Sequence, residues 1–275
     1  MGDLLIYKND TTQVYRLILE QYFKQAGYTD NGQLFGFSFR GDGMQASTNC
    51  WRGYQAMYKV EHDSLFLIHI LRCGEFRYKR NSLDIVTSDK RMEEIFKDRV
   101  VDHKVFIDWY SGDINIPDGK FLRFDGIFHR SFEREISLTI HKGILNAVVN
   151  LQNYVDHPNR INRRYGDSIK KVFYENIMHA DLNWLLTVDE IYPNFKIMIG
   201  KNGSIEKVTM INVLGDDETS EFDRKQYRHF HRSIMRQVRM LRFDILKDEG
   251  KKIVETIYLE MSYDSNDKSW TYRNW

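Results

Sequence analysis

The strongest constraint in this sequence is a pair of β-prone runs separated by four polar residues. Arg52 to Val60 (RGYQAMYKV) leads into Glu61-His62-Asp63-Ser64 and then Leu65 to Leu71 (LFLIHIL). Two such runs joined so tightly predict an antiparallel hairpin. Strand-like pieces surround it at residues 4–8, 104–110, 120–124, 135–141 and 144–151, the last two joined at Lys142-Gly143. Phe35, Phe37 and Phe39 alternate in a turn-rich stretch over 32–43 and read as a further short strand. Thr12 to Gly27 reads as a helix, and Lys90 to Asp98 as a shorter one. Residues 1–152 are therefore expected to form an antiparallel, β-rich domain with short helices.

From Gln152 to Arg164 the chain turns polar, carries Pro158 and has no apolar period, which predicts a linker or exposed loop. A helix is expected from Asp167 to about Leu185. It is followed by a hairpin, Phe195–Ile199 and Ile205–Val213, around the turn Gly200-Lys201-Asn202-Gly203. An acidic loop at 215–220 precedes a long helix, Glu221–Leu241, and a final strand, Lys252–Tyr263. The expected fold class is α+β. A β-rich domain over 1–152 is followed by a helix plus a hairpin/helix/strand domain over 153–275.

Charge excludes one function class. Lys and Arg total 40 against 39 for Asp and Glu, with 20 of each sign in positions 1–150. Neither half has the excess of positive charge that binding nucleic acid through its phosphates requires. No apolar run reaches the roughly 18 residues of a membrane span, and the start, Met1-Gly2-Asp3, lacks the features of a signal peptide. The expected location is the periplasm or cell envelope if a signal peptide has been removed, and otherwise the cytoplasm. With only Cys50 and Cys73, no cysteine zinc site is available. Two free, buried thiols are expected, and a single bridge, which would imply an oxidising compartment, is the alternative.

The long helix carries two stripes. Tyr227, Phe230, Ile234, Val238 and Leu241 share one side, and Lys225, Arg228, Arg232, Arg236 and Arg239 lie almost opposite. The basic stripe is either a solvated face or a ridge that grips carboxylates or phosphates. His229 and His231 diverge by about 200° on a helix, which excludes a chelate between them.

Phosphate-cradling glycine loops, nucleophile elbows and zinc-protease motifs are absent. His69, inside an apolar strand, reads as a hydrogen-bonded core histidine, and Glu133 with Glu135 reads as the polar face of a sheet. An enzyme would have to use Cys50 with Arg52 and either His69 or Asp108, and no base can be assigned to that thiol. Trp51, Arg52, Tyr54, Asp108, Trp109 and Tyr110, in the segments CWRGY and DWYSG, are the candidate partner-binding residues, joined by Arg228, Arg232, Arg236 and Arg239. No cofactor, metal or small-molecule substrate is expected.

Two resemblances follow. Residues 194–263 resemble a TonB C-terminal domain in the hairpin KIMIGKNGSIEKVTMINV and the segment RMLRFDILKDEGKKIVETIYLEMSY. Asp244-Ile245 stands where that family usually has a Pro, and the anchor and Pro-rich spacer of an energy transducer are missing. The N-terminal half resembles a family of bacterial proteins common in Bacteroidetes, through Trp51–Tyr54, Asp108–Gly112 and the turn Pro117–Lys120. Some of its members are similar to immunity proteins of interbacterial toxin systems. Together these imply a non-enzymatic protein-binding protein, in first place an immunity protein that neutralises a toxin. The alternative is a periplasmic adaptor that adds an extended peptide to the edge of the TonB-like sheet.

Overall fold

A computed structural model describes residues 1–28, 50, 52–78, 83–125, 129–187, 192–211 and 221–273. The predicted strand over 32–43, the acidic loop at 215–220 and Trp51 lie outside the described residues. The chain is strand-rich, mixed α+β, and divides into two compact units, Met1–Leu151 and Gln152–Trp275.

In the first unit the chain runs β1 (Asp3–Tyr7), β2 (Asp10–Val14), α1 (Ile18–Gln25), β3 (Tyr54–Glu61), β4 (Ser64–Arg72), α2 (Glu75–Tyr78) and α3 (Ile85–Phe96). It continues through β5 (Val100–Val101), β6 (Lys104–Phe106), β7 (Gly112–Pro117), β8 (Phe121–Asp125), β9 (His129–Phe132), β10 (Arg134–His141) and β11 (Ile144–Gln152). One nine-stranded sheet has the order β2-β1-β3-β4-β11-β10-β7, with β6 paired to β4 and β5 to β6. The predicted hairpin is β3–β4, registered from Tyr54↔Arg72 to Glu61↔Ser64. Only β1–β3 is parallel among the registered pairs.

Turn chemistry explains the differences from expectation. Lys8-Asn9, His62-Asp63, Asp102-His103 and Lys142-Gly143 all have positive φ, the mirror-image turn geometry that matches strand twist. Lys8-Asn9 thus folds β2 back on β1, so the helix expected from Thr12 begins only at Ile18. Gly143 is obligatory: a Cβ there would sit 2.3 Å from the Ile107 carbonyl oxygen. Helix α3 starts at Ile85 rather than Lys90, because Asp84 accepts from the Thr87 amide at 3.0 Å and caps it. Its Met92, Ile95 and Phe96 join Ile18, Leu19 and Phe23 of α1 over one sheet face, while Leu4, Met57 and Leu71 form a small cluster on alternate strand positions.

The second unit contains β12 (Tyr154–Val155), α4 (Gly166–Ile177), α5 (Asn183–Thr187), β13 (Asn194–Ile199) and β14 (Ile205–Met210). Helix α6 (Glu221–Val238) and strands β15 (Ile245–Asp248), β16 (Lys251–Lys252), β17 (Glu255–Asp264) and β18 (Ser269–Tyr272) complete it. The main sheet has the order β14-β13-β17-β18, and a smaller one β12-β15-β16. Helices α4 and α6 cover the larger sheet through Ile169, Phe173, Ile177, Phe230, Ile234 and Val238.

Three expectations for this unit are corrected. The single helix over 167–185 is broken between Ile177 and Asn183, where Asp181 accepts from the Asn183 amide at 3.0 Å. The stretch 152–164 is exposed only in part, chiefly at 156–159: Tyr154 pairs with Leu246, and Asn153 and Arg163 are wholly buried. The hairpin/helix/strand sheet has a fourth strand, since β18 pairs with β17 from Met261↔Tyr272 to Asp264↔Ser269. Both outer strands are also capped by helix side chains. His231 Nε2 of α6 donates to the Val208 carbonyl on β14 at 2.9 Å, and Tyr174 of α4 donates its hydroxyl to the Trp270 carbonyl on β18. Capped carbonyls are poor templates for an added strand.

Candidate functional site

Arg52 precedes β3 and points inward. Its NH2 donates to Asp3 Oδ1 at 2.7 Å and its NH1 to Asp3 Oδ2 at 3.1 Å and Glu20 Oε1 at 2.6 Å. Asp3 opens β1 and Glu20 lies on α1, so one guanidinium ties a strand, a helix and the hairpin together. Tyr54 and Tyr58, on alternate positions of β3, aim hydroxyls at Glu20 and Asp3, and the Ala56 amide donates to Asp3 at 3.0 Å. Asp3, Arg52, Tyr54 and Tyr58 are all at most 4% exposed.

The surface role expected for Arg52 and Tyr54 is therefore corrected: neither has a face left for a partner. Burial pushes both phenols well above their ordinary range. These are neutral hydrogen-bonding groups, held in a network that is buried except at the edge of Glu20.

Burial also raises the Glu20 carboxyl above its ordinary 4.5, against the opposing pull of Arg52. A raised value means that the folded state holds this proton more tightly than the unfolded state. The stability linked to Glu20 is thus complete below pH 4.5 and lost as pH rises through the raised value. Glu20→Gln should flatten that decline and leave the neutral-pH stability equal or higher. Urea midpoints across pH would show it, and an unchanged slope would refute it.

The cysteines do not supply a nucleophile. Cys50 and Cys73 flank the open end of the β3–β4 hairpin, Cα atoms 6.1 Å apart, and are joined by a disulfide. The expected free thiols are corrected: the hairpin register brings its own two ends within bonding distance. His69 is half-buried with Nδ1 3.3 Å from Ser88 Oγ, and burial lowers its pKa. Glu135, read as a surface carboxylate, is buried and accepts from the Phe132 amide at 3.1 Å.

The DWYSG segment is split by the structure. Tyr110 is buried and donates its hydroxyl to the Asp113 carbonyl at 3.0 Å. Trp109 is half-buried, stacked on Phe96 with ring centres 5.5 Å apart, its Nε1 donating to the Ile18 carbonyl at 3.1 Å. Asp108 is exposed and holds Arg99, whose guanidinium lies over the Trp109 ring at 5.3 Å. Of the candidate partner-binding residues in this segment, only Asp108 and the rim of Trp109 face outward.

Arg228, Arg232 and Arg236 of α6, and Arg239 just past its end, are exposed, opposite buried Phe230, Ile234 and Val238. Between α6 and β14 runs an open groove of about 560 Å³, to which Lys207, Lys225, Tyr227, Arg228, His231 and Arg232 contribute. Lys207, Lys225, Arg228 and Arg232 make no ion pair among the described residues. Arg236 and Arg239 continue the ridge beyond the groove. The sequence showed the ridge but not Lys207, because nothing local indicates that β14 lies beside α6.

Among the described residues no cluster of His, Cys, Asp and Glu is arranged to hold a metal ion, and no helix is long and apolar enough to cross a membrane. The fold and site thus define a strand-rich α+β chain with an enclosed ionic network in one unit and a basic groove in the other. Comparison with protein-family models, curated proteins and solved structures gives no match.

Proposed function

We propose that this chain is a non-enzymatic protein-binding protein, most concretely an immunity protein that neutralises an interbacterial toxin. The observation that carries the reading is the set of four cations, Lys207, Lys225, Arg228 and Arg232, that make no ion pair among the described residues around one groove on α6 and β14. Exposed guanidinium forks beside an aromatic ring are suited to a carboxylate-rich protein surface. The resemblance of the WRGY and DWYSG segments to immunity-like proteins supports the same reading. The Cys50–Cys73 bond supports placing the protein in the periplasm or envelope.

The adaptor reading, with an extended peptide added to a TonB-like sheet, has less support. It needs an open strand edge, whereas β18 lies on the C-terminal part of β17 and the Val208 and Trp270 carbonyls are engaged. The hairpin, helix and strand order over 194–263 still favours a TonB-like description of the fold of this unit.

Co-purification with the product of an adjacent toxin gene is the test. The wild type should bind it and protect cells. Arg228→Glu with Arg232→Glu should weaken binding by about 100-fold, with a steep salt dependence in the wild type. Absence of both binding and protection would refute the proposal.

A further inference from the structure

Strand β11 (ILNAVVNLQ) is unusual in exposing both of its faces. Ile144, Val148 and Val149 are 42%, 46% and 48% exposed, and no charged residue occurs from Gly143 to Val155. Its neighbours explain the exposure. One edge runs along β10, and the other meets β4 only at Ile144↔Ser64. There β4 ends at the His62-Asp63 turn, and β11 continues past it.

The direction of the backbone groups is fixed by that first contact. The Leu145 amide donates to the Asp63 carbonyl at 2.8 Å, and the Leu65 amide to the Gly143 carbonyl at 2.8 Å. Main-chain groups alternate sides along an antiparallel strand. Odd-numbered residues of β11 therefore point away from β10, which places the amides and carbonyls of Ala147 and Val149 on an edge that no described strand covers. Folded proteins usually protect such an edge with a charge, a proline or a bulge. β11 has neither charge nor proline.

We propose that this edge pairs with its own counterpart in a second copy of the chain, antiparallel across a two-fold axis. The sequence favours a self-pair over a foreign strand. Leu145-Asn146-Ala147-Val148-Val149-Asn150-Leu151 reads nearly the same in both directions about Val148. Placing the axis at Val148 sets Asn146 opposite Asn150 of the second copy and Ala147 opposite Val149. The odd-numbered pairs are then the hydrogen-bonded ones, as the backbone direction demands, and Val148 meets its equivalent in a close, non-hydrogen-bonded pair. The His62-Asp63 turn opposite Leu145 confines the pairing to residues 146–150. Five residues a side fall well short of the 20–30 of a stable interface, so the dimer is a concentration-dependent one.

Sedimentation velocity on the full chain over a rising concentration series should show the average mass moving from one chain towards two. Val148→Lys replaces an exposed side chain, so it should keep the circular dichroism of the wild type while weakening association by about tenfold or more. Val148→Cys should yield a covalent dimer on mild oxidation, since opposed Cα atoms of such a pair lie about 4.5 Å apart. Asn146→Cys, on the same face but about 13 Å from its own equivalent, should not. A mass that stays at one chain at the highest attainable concentration overturns the proposal. So does association that survives Val148→Lys, or equal cross-linking of the two cysteine variants.

Discussion

Arg52→Ala should destabilise the first unit by about 3–5 kcal/mol, the cost typical of removing one partner from a buried ion pair. The substitution takes the Arg52 counter-charge from two carboxylates at once, Asp3 and Glu20. Arg52→Lys should recover part of the loss. An ammonium restores the charge but cannot reproduce the forked contact with both Asp3 oxygens. Chemical denaturation would measure both changes. A loss below about 1 kcal/mol for the alanine variant would mean that water reaches the cluster and screens it, as at exposed pairs.

A matching loss is expected in the second unit from Arg163→Ala. Arg163 has no exposed surface, its Nε donates to Glu255 Oε2 at 3.1 Å, and its NH1 donates to the Asp244 carbonyl at 3.2 Å. Its own amide donates to the Tyr154 hydroxyl, which in turn donates to Asp244 Oδ2 at 2.8 Å. Truncation removes the Arg163 charge from buried Glu255, again worth about 3–5 kcal/mol. Glu255→Gln keeps one acceptor for Arg163 and should be milder than Arg163→Ala. If the two variants cost the same, the guanidinium contributes only through its pair with Glu255, and its main-chain contact adds nothing.

Much of the strand pattern was legible in the sequence, and it failed for two physical reasons. The hairpins at 54–72 and 194–210 had alternating apolar runs and, in the second, the Asn202-Gly203 turn. Strands β2 and β5 were missed because Lys8-Asn9 and Asp102-His103 reach positive φ without a glycine to mark the turn, whereas β6 starts at Lys104 as read and only ends earlier. In the stretch 152–164, polar composition concealed burial. Arg163 and Asn153 are interior because their partners, Glu255 and the Gly250 amide, arrive about 90 residues later in the chain.

The candidate site was legible only where one helix contained it. The ridge of Arg228, Arg232, Arg236 and Arg239 follows from helical spacing alone, and it is exposed as that spacing requires. Arg52 and Tyr54 were noticed for their chemistry and read as partner-binding residues, but both are buried. Their direction is decided by Asp3 and Glu20, which lie 32 to 49 positions away and carry no local signal.

The bond between Cys50 and Cys73 makes electron chemistry a condition of the first unit's architecture. It closes a span of 23 positions directly beside Arg52. Loop-closure reasoning assigns such a link about 3 kcal/mol, comparable to the ionic network it adjoins. A dithiol reductant should therefore weaken the first unit and spare the second, which contains no cysteine. Chain recovered from a glutathione-rich compartment would carry the same deficit until air or an oxidoreductase restored the link.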